Sequence, residues 1–160
     1  MMTTITANQW AAHVLRVRAP ALADRIAAEH FRRRPELAAR YGRVGPQRCL
    51  EDALFHLQFL AGSVEIGDPR VFADYTAWAA DLLARRRIPV EHVADNLGVI
   101  VDVLREGVPP ETFYMTRPHL DAAISRLSPP GDQRADHEDA VSQARPPSNR
   151  AQVREEERRE

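Results

Sequence analysis

Apolar residues recur every three or four positions through residues 6–127, and no stretch alternates apolar with polar between hairpin turns. That spacing lines up one side of a helix, whereas a strand needs a period of two. The chain is therefore expected to be all-α, with a single helical domain over residues 1–127. Proline and glycine mark its joints. Thr6 to Arg18 carries Trp10, Val14 and Val17 on one face. Pro20 then restarts the chain, and a second helix presents Leu22, Ile26 and His30. Pro35 opens a short segment over residues 36–41, closed by Gly42.

The clearest helix follows. Gly45-Pro46 begins it, Leu50, Leu54, Leu57, Ala61 and Val64 make its stripe, and Gly67 closes it. Asp68-Pro69 starts the next, which runs to about Arg86 with Val71, Phe72, Tyr75, Trp78, Ala79 and Leu82 facing inward. After Ile88-Pro89, a helix built on Val93, Leu97, Ile100, Val101 and Leu104 ends near Gly107. Pro109-Pro110 begins the last, to about Leu127, with Pro118 a point where it can split.

From Ser128 the character changes. Residues 128–160 contain no Phe, Tyr, Trp, Leu, Ile or Met, and residues 154–160 are all charged. Such a segment cannot bury enough surface to offset its ordering entropy, so a disordered charged tail is expected.

Several function classes fall away on composition. The formal net charge is −1, which gives no field to recruit nucleic acid or an anionic membrane. All 22 Lys-plus-Arg positions are Arg, so neither a Schiff-base lysine nor a phosphate-loop lysine exists. Cys49 is the one cysteine, so no disulfide can form within the chain, and a reducing compartment is expected. The first ten residues lack a basic-then-apolar leader, and no apolar run approaches the ~20 residues of a membrane span. A cytoplasmic protein is the expectation. There is no Gly-rich phosphate loop, no GxSxG, no HExxH and no CxxC, and a non-catalytic role follows. One cysteine and scattered histidines do not make a zinc site.

One constellation stands out. Cys49, Asp52 and His56 are three and four residues apart, so a thiol, a carboxylate and an imidazole share one helix face, extended by Phe59 or Leu60. Read as structure, they are a small buried hydrophobe, a first-turn acid and a boundary histidine. Read as a site, they line a pocket. Tyr75 and Trp78 share a face of the next helix; they are core residues or, if a pocket opens between the two helices, aromatic walls for a flat ligand.

The ordered set Cys49-Leu50-Glu51-Asp52, Phe55-His56-Leu57-Gln58-Phe59, Gly67-Asp68-Pro69-Arg70-Val71-Phe72 and Ile88-Pro89 resembles the chromophore-bearing region of phycobiliproteins, over about residues 41–95. Within that superfamily it looks most like the bilin biosynthesis-associated globins. The resemblance implies a globin-like fold and a linear tetrapyrrole (bilin) pocket beside the Cys49 helix. It implies Cys49 as the attachment point and Asp52 as the partner of the pyrrole N–H groups, with His56, Phe59, Tyr75 and Trp78 completing the bilin site. A carboxylate suits that role because it only accepts hydrogen bonds and protonated pyrroles only donate. Glu51 stands where the family carries an Arg that pairs with a bilin propionate, and His56 where Tyr is usual. Arg48 is adjacent to Cys49 in sequence but points about 100° away from it on the helix.

The leading expectation is thus a non-catalytic globin-like carrier of a bilin. Two others stand beside it. A haem-binding sensor globin would use His56 as axial ligand, with His30 and His92 as further candidates. A ligand-free interaction module would pair as a homodimer through its N-terminal helices, using Trp10, Val14 and Val17.

Overall fold

The computed structural model describes residues 4–128. These form six α-helices: α1 (Ala7–Arg33), α2 (Glu36–Tyr41), α3 (Gly45–Ile66), α4 (Pro69–Arg85), α5 (Val90–Gly107) and α6 (Pro110–Leu127), with one 3₁₀ turn, Gly42–Val44. No strand occurs among the described residues. The predicted tail lies outside them, apart from Ser128, which caps α6 by donating its hydroxyl to the Ile124 carbonyl at 3.0 Å. Among the described residues no helix is long and apolar enough to cross a membrane.

Local chemistry sets most of the helix ends. Thr6 and Gln9 form a reciprocal capping box at the start of α1: Thr6 Oγ1 accepts from the Gln9 amide at 3.2 Å, and Gln9 Oε1 accepts from the Thr6 amide at 2.9 Å. Gly67 ends α3 in the left-handed conformation at φ 77°, its N–H reaching the Ser63 and Val64 carbonyls. Asp68 then caps α4 by accepting from the Arg70 amide, and Pro69 takes the first helical position, where a missing N–H costs nothing.

Pro20 does not restart the chain. α1 is one helix of 27 residues with Pro20 inside it, and α6 likewise runs unbroken through Pro118. An interior proline costs about 3 kcal/mol in an isolated helix. Here both rings face solvent, and buried residues lie on either side, Leu15 and Leu22 in α1 and Thr116 and Leu120 in α6. Packing on both flanks holds each helix together across the lost hydrogen bond.

The buried side of α1 also differs from the predicted face. Val14 is buried, but Trp10 and Val17 point outward, 54% and 65% exposed. The inward face is built from Ala11, Ala12, Leu15, Leu22, Ala23 and Ile26. The alanines among them let α1 lie against α3, its most extensive neighbour, whose own inward face carries Ala53 and Ala61. The α3 stripe is shifted in the same way: Leu54 is 38% exposed and Leu50 half-buried, whereas Leu60 is fully buried. α5 supplies the centre of the core with Leu97, Ile100 and Leu104, and α6 closes it with Leu120.

A buried polar knot ties three helices. The Ser63 hydroxyl donates to the Asp68 carbonyl at 2.8 Å, accepts from the Phe72 amide at 3.2 Å and lies 2.6 Å from His119 Nδ1. All three bonds close if His119 carries its proton on Nδ1 and donates it to Ser63. Ser63 is fully buried and its one proton is committed, so it is a structural tie and not a nucleophile. Ser63→Ala will strand two donors and one acceptor and should lower stability by about 2–3 kcal/mol, read as a shift in the chemical-denaturation midpoint at pH 7. A change below 0.5 kcal/mol, about the scatter of an ordinary surface substitution, would mean that these groups find other partners.

Candidate ligand cavity

A cavity of about 660 Å³ opens at the end of the helix bundle where the C-terminal turns of α1, the N-terminal half of α3 and the start of α5 meet. Pockets for cofactor-sized molecules run about 300–1,000 Å³. Gly45 permits this junction: a Cβ there would fall 2.9 Å from the Tyr41 Cβ and 3.3 Å from the Phe31 ring, so the first turn of α3 sits tight against both.

Cys49, Asp52 and His56 all line this cavity, as their shared face predicts. His56 is 5% exposed, and its Nδ1 lies 2.9 Å from the Tyr75 hydroxyl. Burial pushes the imidazole down to about 4, so it is neutral at pH 7. Burial, with the Asp52 charge adding to it, raises the Tyr75 phenol far above neutrality. A Tyr75 O–H that donates to Nδ1 leaves the His56 proton on Nε2. Cys49 is half-buried; burial, and then the Asp52 charge, push its thiol up to about 11. It is a thiol and not a thiolate at neutral pH, hence a weak nucleophile. Asp52 is reached by solvent from the cavity mouth. Burial nonetheless raises its carboxyl, Glu51 adds to the rise, and Arg86 and Arg48 oppose it.

The other predicted site residues are brought together, but elsewhere. Phe59 and Tyr75 stack at 3.9 Å between ring centroids, and Trp78 lies 6.2 Å from Tyr75. None of the three lines the cavity. Phe59 and Trp78 are 44% and 60% exposed on the outer side of α3 and α4, so Trp78 is neither core nor pocket wall. Tyr75 acts on the cavity only through its bond to His56. At this point the α3–α4 seam is occupied by the packed rings of Phe72, Tyr75 and Phe59.

Periodicity within one helix misses what other helices bring. His30 from α1 and His92 from α5, the two further haem-ligand candidates, line the cavity, and so do Asn96 from α5 and Arg86 from the α4–α5 turn, which the sequence did not single out. Arg48 lines it too, because the cavity wraps around the first turns of α3 and meets residues on more than one face. Neither Arg48 nor Arg86 forms an ion pair with a described carboxylate, while Glu51 is held by the Gln47 amide at 3.1 Å. The rim therefore offers two guanidiniums and two carboxylates. Arg87, just beyond Arg86, has a positive φ of 62°, and its carbonyl accepts from the Arg40 guanidinium at 2.8 Å. His92 Nδ1 lies 3.2 Å from the Tyr41 hydroxyl. Behind the cavity, Arg34 pairs with Asp95, and Arg33 with Asp102 at 2.9 Å, fastening α1 to α5. Among the described residues no group of three or more His, Cys, Asp or Glu is placed to hold a metal ion.

No protein-family model matches the chain, and neither does any curated protein.

Proposed function

We propose that this is a non-catalytic, globin-like protein that binds a linear tetrapyrrole non-covalently in the cavity beside α3. The observation that carries the reading is the convergence of Cys49, Asp52 and His56 on one cavity of about 660 Å³ with Arg48 and Arg86 at its rim. A linear tetrapyrrole presents two faces of opposite demand, a row of N–H donors and a pair of propionates. Asp52 and Glu51 suit the first and the two guanidiniums the second. The arginines supply, from other positions, the propionate partner that Glu51 cannot be. The protonated thiol of Cys49 argues for reversible binding over thioether formation.

The test is a titration of the full chain with biliverdin, followed by absorbance and fluorescence quenching. Saturable binding is expected. Asp52→Ala should weaken it roughly tenfold to a hundredfold, the scale of a lost hydrogen bond to a charged group, and Cys49→Ala should leave it nearly unchanged. Pigment that stays with the wild-type chain in denaturant would overturn the non-covalent reading; absence of saturable binding would overturn the whole.

One observation favours haem as a second reading. His56 is neutral, faces the cavity, and lies with Nδ1 at 2.9 Å from the Tyr75 hydroxyl; in the tautomer where Nδ1–H donates to that oxygen, Nε2 is unprotonated and oriented for axial ligation. A haemin titration separates the two: a Soret shift lost in His56→Ala supports haem, and its absence removes that reading.

A further inference from the structure

Two buried polar side chains line the cavity without a protein partner. His30 on α1 is 7% exposed and Asn96 on α5 is 9% exposed. Neither makes a side-chain hydrogen bond to any described residue, and His30 Nδ1 is wholly shielded from solvent. They come from two helices, α1 and α5, that meet at this cavity. His92, one helical turn before Asn96, is near enough for its charge to bear on the His30 ring. Native interiors seldom leave such groups unpaired, since each costs much of its lost hydration. With His30 Nδ1 closed off, a molecule in the cavity meets that ring at Nε2 and meets the Asn96 amide directly, taking hydrogen bonds that no described protein group supplies.

Their chemistry restricts what that can be. The Asn96 amide offers one acceptor and two donors side by side. The neutral imidazole of His30 offers one donor and one acceptor. A carboxylate at this end would find the nearest cations, Arg33 and Arg34, already paired with Glu29, Asp102, Glu36 and Asp95. A purely apolar group would leave both side chains stranded. A cyclic amide fits. Its N–H can donate to Asn96 Oδ1 while its carbonyl accepts from Asn96 Nδ2, giving two parallel bonds, and the second lone pair of that carbonyl can accept from the His30 Nε2–H.

We propose that the inner end of the cavity is a lactam subsite, read by Asn96 and His30. The inference rests on the tetrapyrrole reading to this extent: a linear tetrapyrrole carries a lactam at each end, so it can seat one ring here while its propionates stay at the Arg48 and Arg86 rim. Haem carries the same propionates and no lactam, which separates the two readings again.

Two probes test it. The first is 2-pyrrolidone, a bare lactam, titrated into the ¹⁵N-labelled full chain. The Asn96 side-chain amide and the His30 ring signals should shift together and saturate. The second is biliverdin against wild type, Asn96→Leu and His30→Leu, each checked for an unchanged circular-dichroism spectrum. Each substitution should weaken biliverdin roughly tenfold. Haemin, where it binds, should be unaffected by Asn96→Leu. Lactam-induced shifts without biliverdin binding would overturn the tetrapyrrole reading and leave the subsite standing. Biliverdin binding that both substitutions leave intact, with no lactam-induced shifts, would overturn the subsite and leave the tetrapyrrole reading standing. Should 2-pyrrolidone move neither residue and biliverdin fail to bind, the inner end holds water only and both proposals fall.

Discussion

Acidification from pH 7 to pH 4 should remove a large part of the folding stability of this protein. His30 and His56 are both pushed down to about 4, each chiefly by burial, against an ordinary imidazole near 6.5. His119, bonded to Ser63, is lowered by burial in the same direction. An imidazole whose folded pKa is depressed binds its proton more readily in the unfolded chain. Full stability is therefore present above about pH 6.5 and is lost as the pH falls through the window from 6.5 to 4. A depression of that size corresponds to about 3 kcal/mol per histidine. Two together are on the order of half of a typical domain's 5–15 kcal/mol. Glu29, lowered to about 2 by hydrogen bonds from Arg32 and Arg33, titrates largely below this window and lies at the surface, so it does not confuse the result. Urea midpoints measured between pH 7 and pH 4.5 should fall steeply, and the slope should flatten in a His30→Gln/His56→Gln double variant. Midpoints that stay level across that range would show that the rings are hydrated in the folded state.

The second large effect is expected at Phe72. It is the largest wholly buried side chain, 0% exposed, set where α3, α4 and α6 converge. Its amide donates to Ser63, and its ring lies 5.9 Å from that of Tyr75. Phe72→Ala should cost about 3–5 kcal/mol, the transfer term of the ring plus the cavity left behind. Phe72→Leu should cost less than half of that. Guanidinium titrations give the values directly. A loss under 1 kcal/mol for the alanine variant would mean that the surrounding helices collapse into the space. The loss reaches the ligand cavity too, since Phe72 backs the Tyr75 ring that holds His56.

The helical class, most joints and the convergence of Cys49, Asp52 and His56 can all be read from the chain. Gly67-Asp68-Pro69 shows why: a left-handed cap, a side-chain acceptor and a residue without an N–H each have one physical use, and in that order they end one helix and begin the next. Pro20 misleads because its cost is local while the compensation, burial of Leu15 and Leu22 against distant helices, is not. Trp78 misleads because an indole's size suggests burial where its position on the helix does not. Small residues on the same helix, Ala73, Ala79 and Ala80, take the buried face and the indole is left outside. The cavity was half legible. Three of its residues lie on one helix and obey one period. His30, Asn96 and Arg86 come from three other places in the chain, and only tertiary packing puts them opposite Asp52.

The turn after α4 has a consequence for how the rim could change. Arg87 holds a backbone shape that L-residues other than asparagine or aspartate resist, at a penalty of about 1–2 kcal/mol. Glycine would adopt it freely, yet would also loosen the peptide that aims Arg86 across the opening. Conformational tension and the aim of a positive charge are thus coupled at adjacent residues. A lineage could trade one against the other with a single codon change, altering the placement of charge at the mouth without touching the interior.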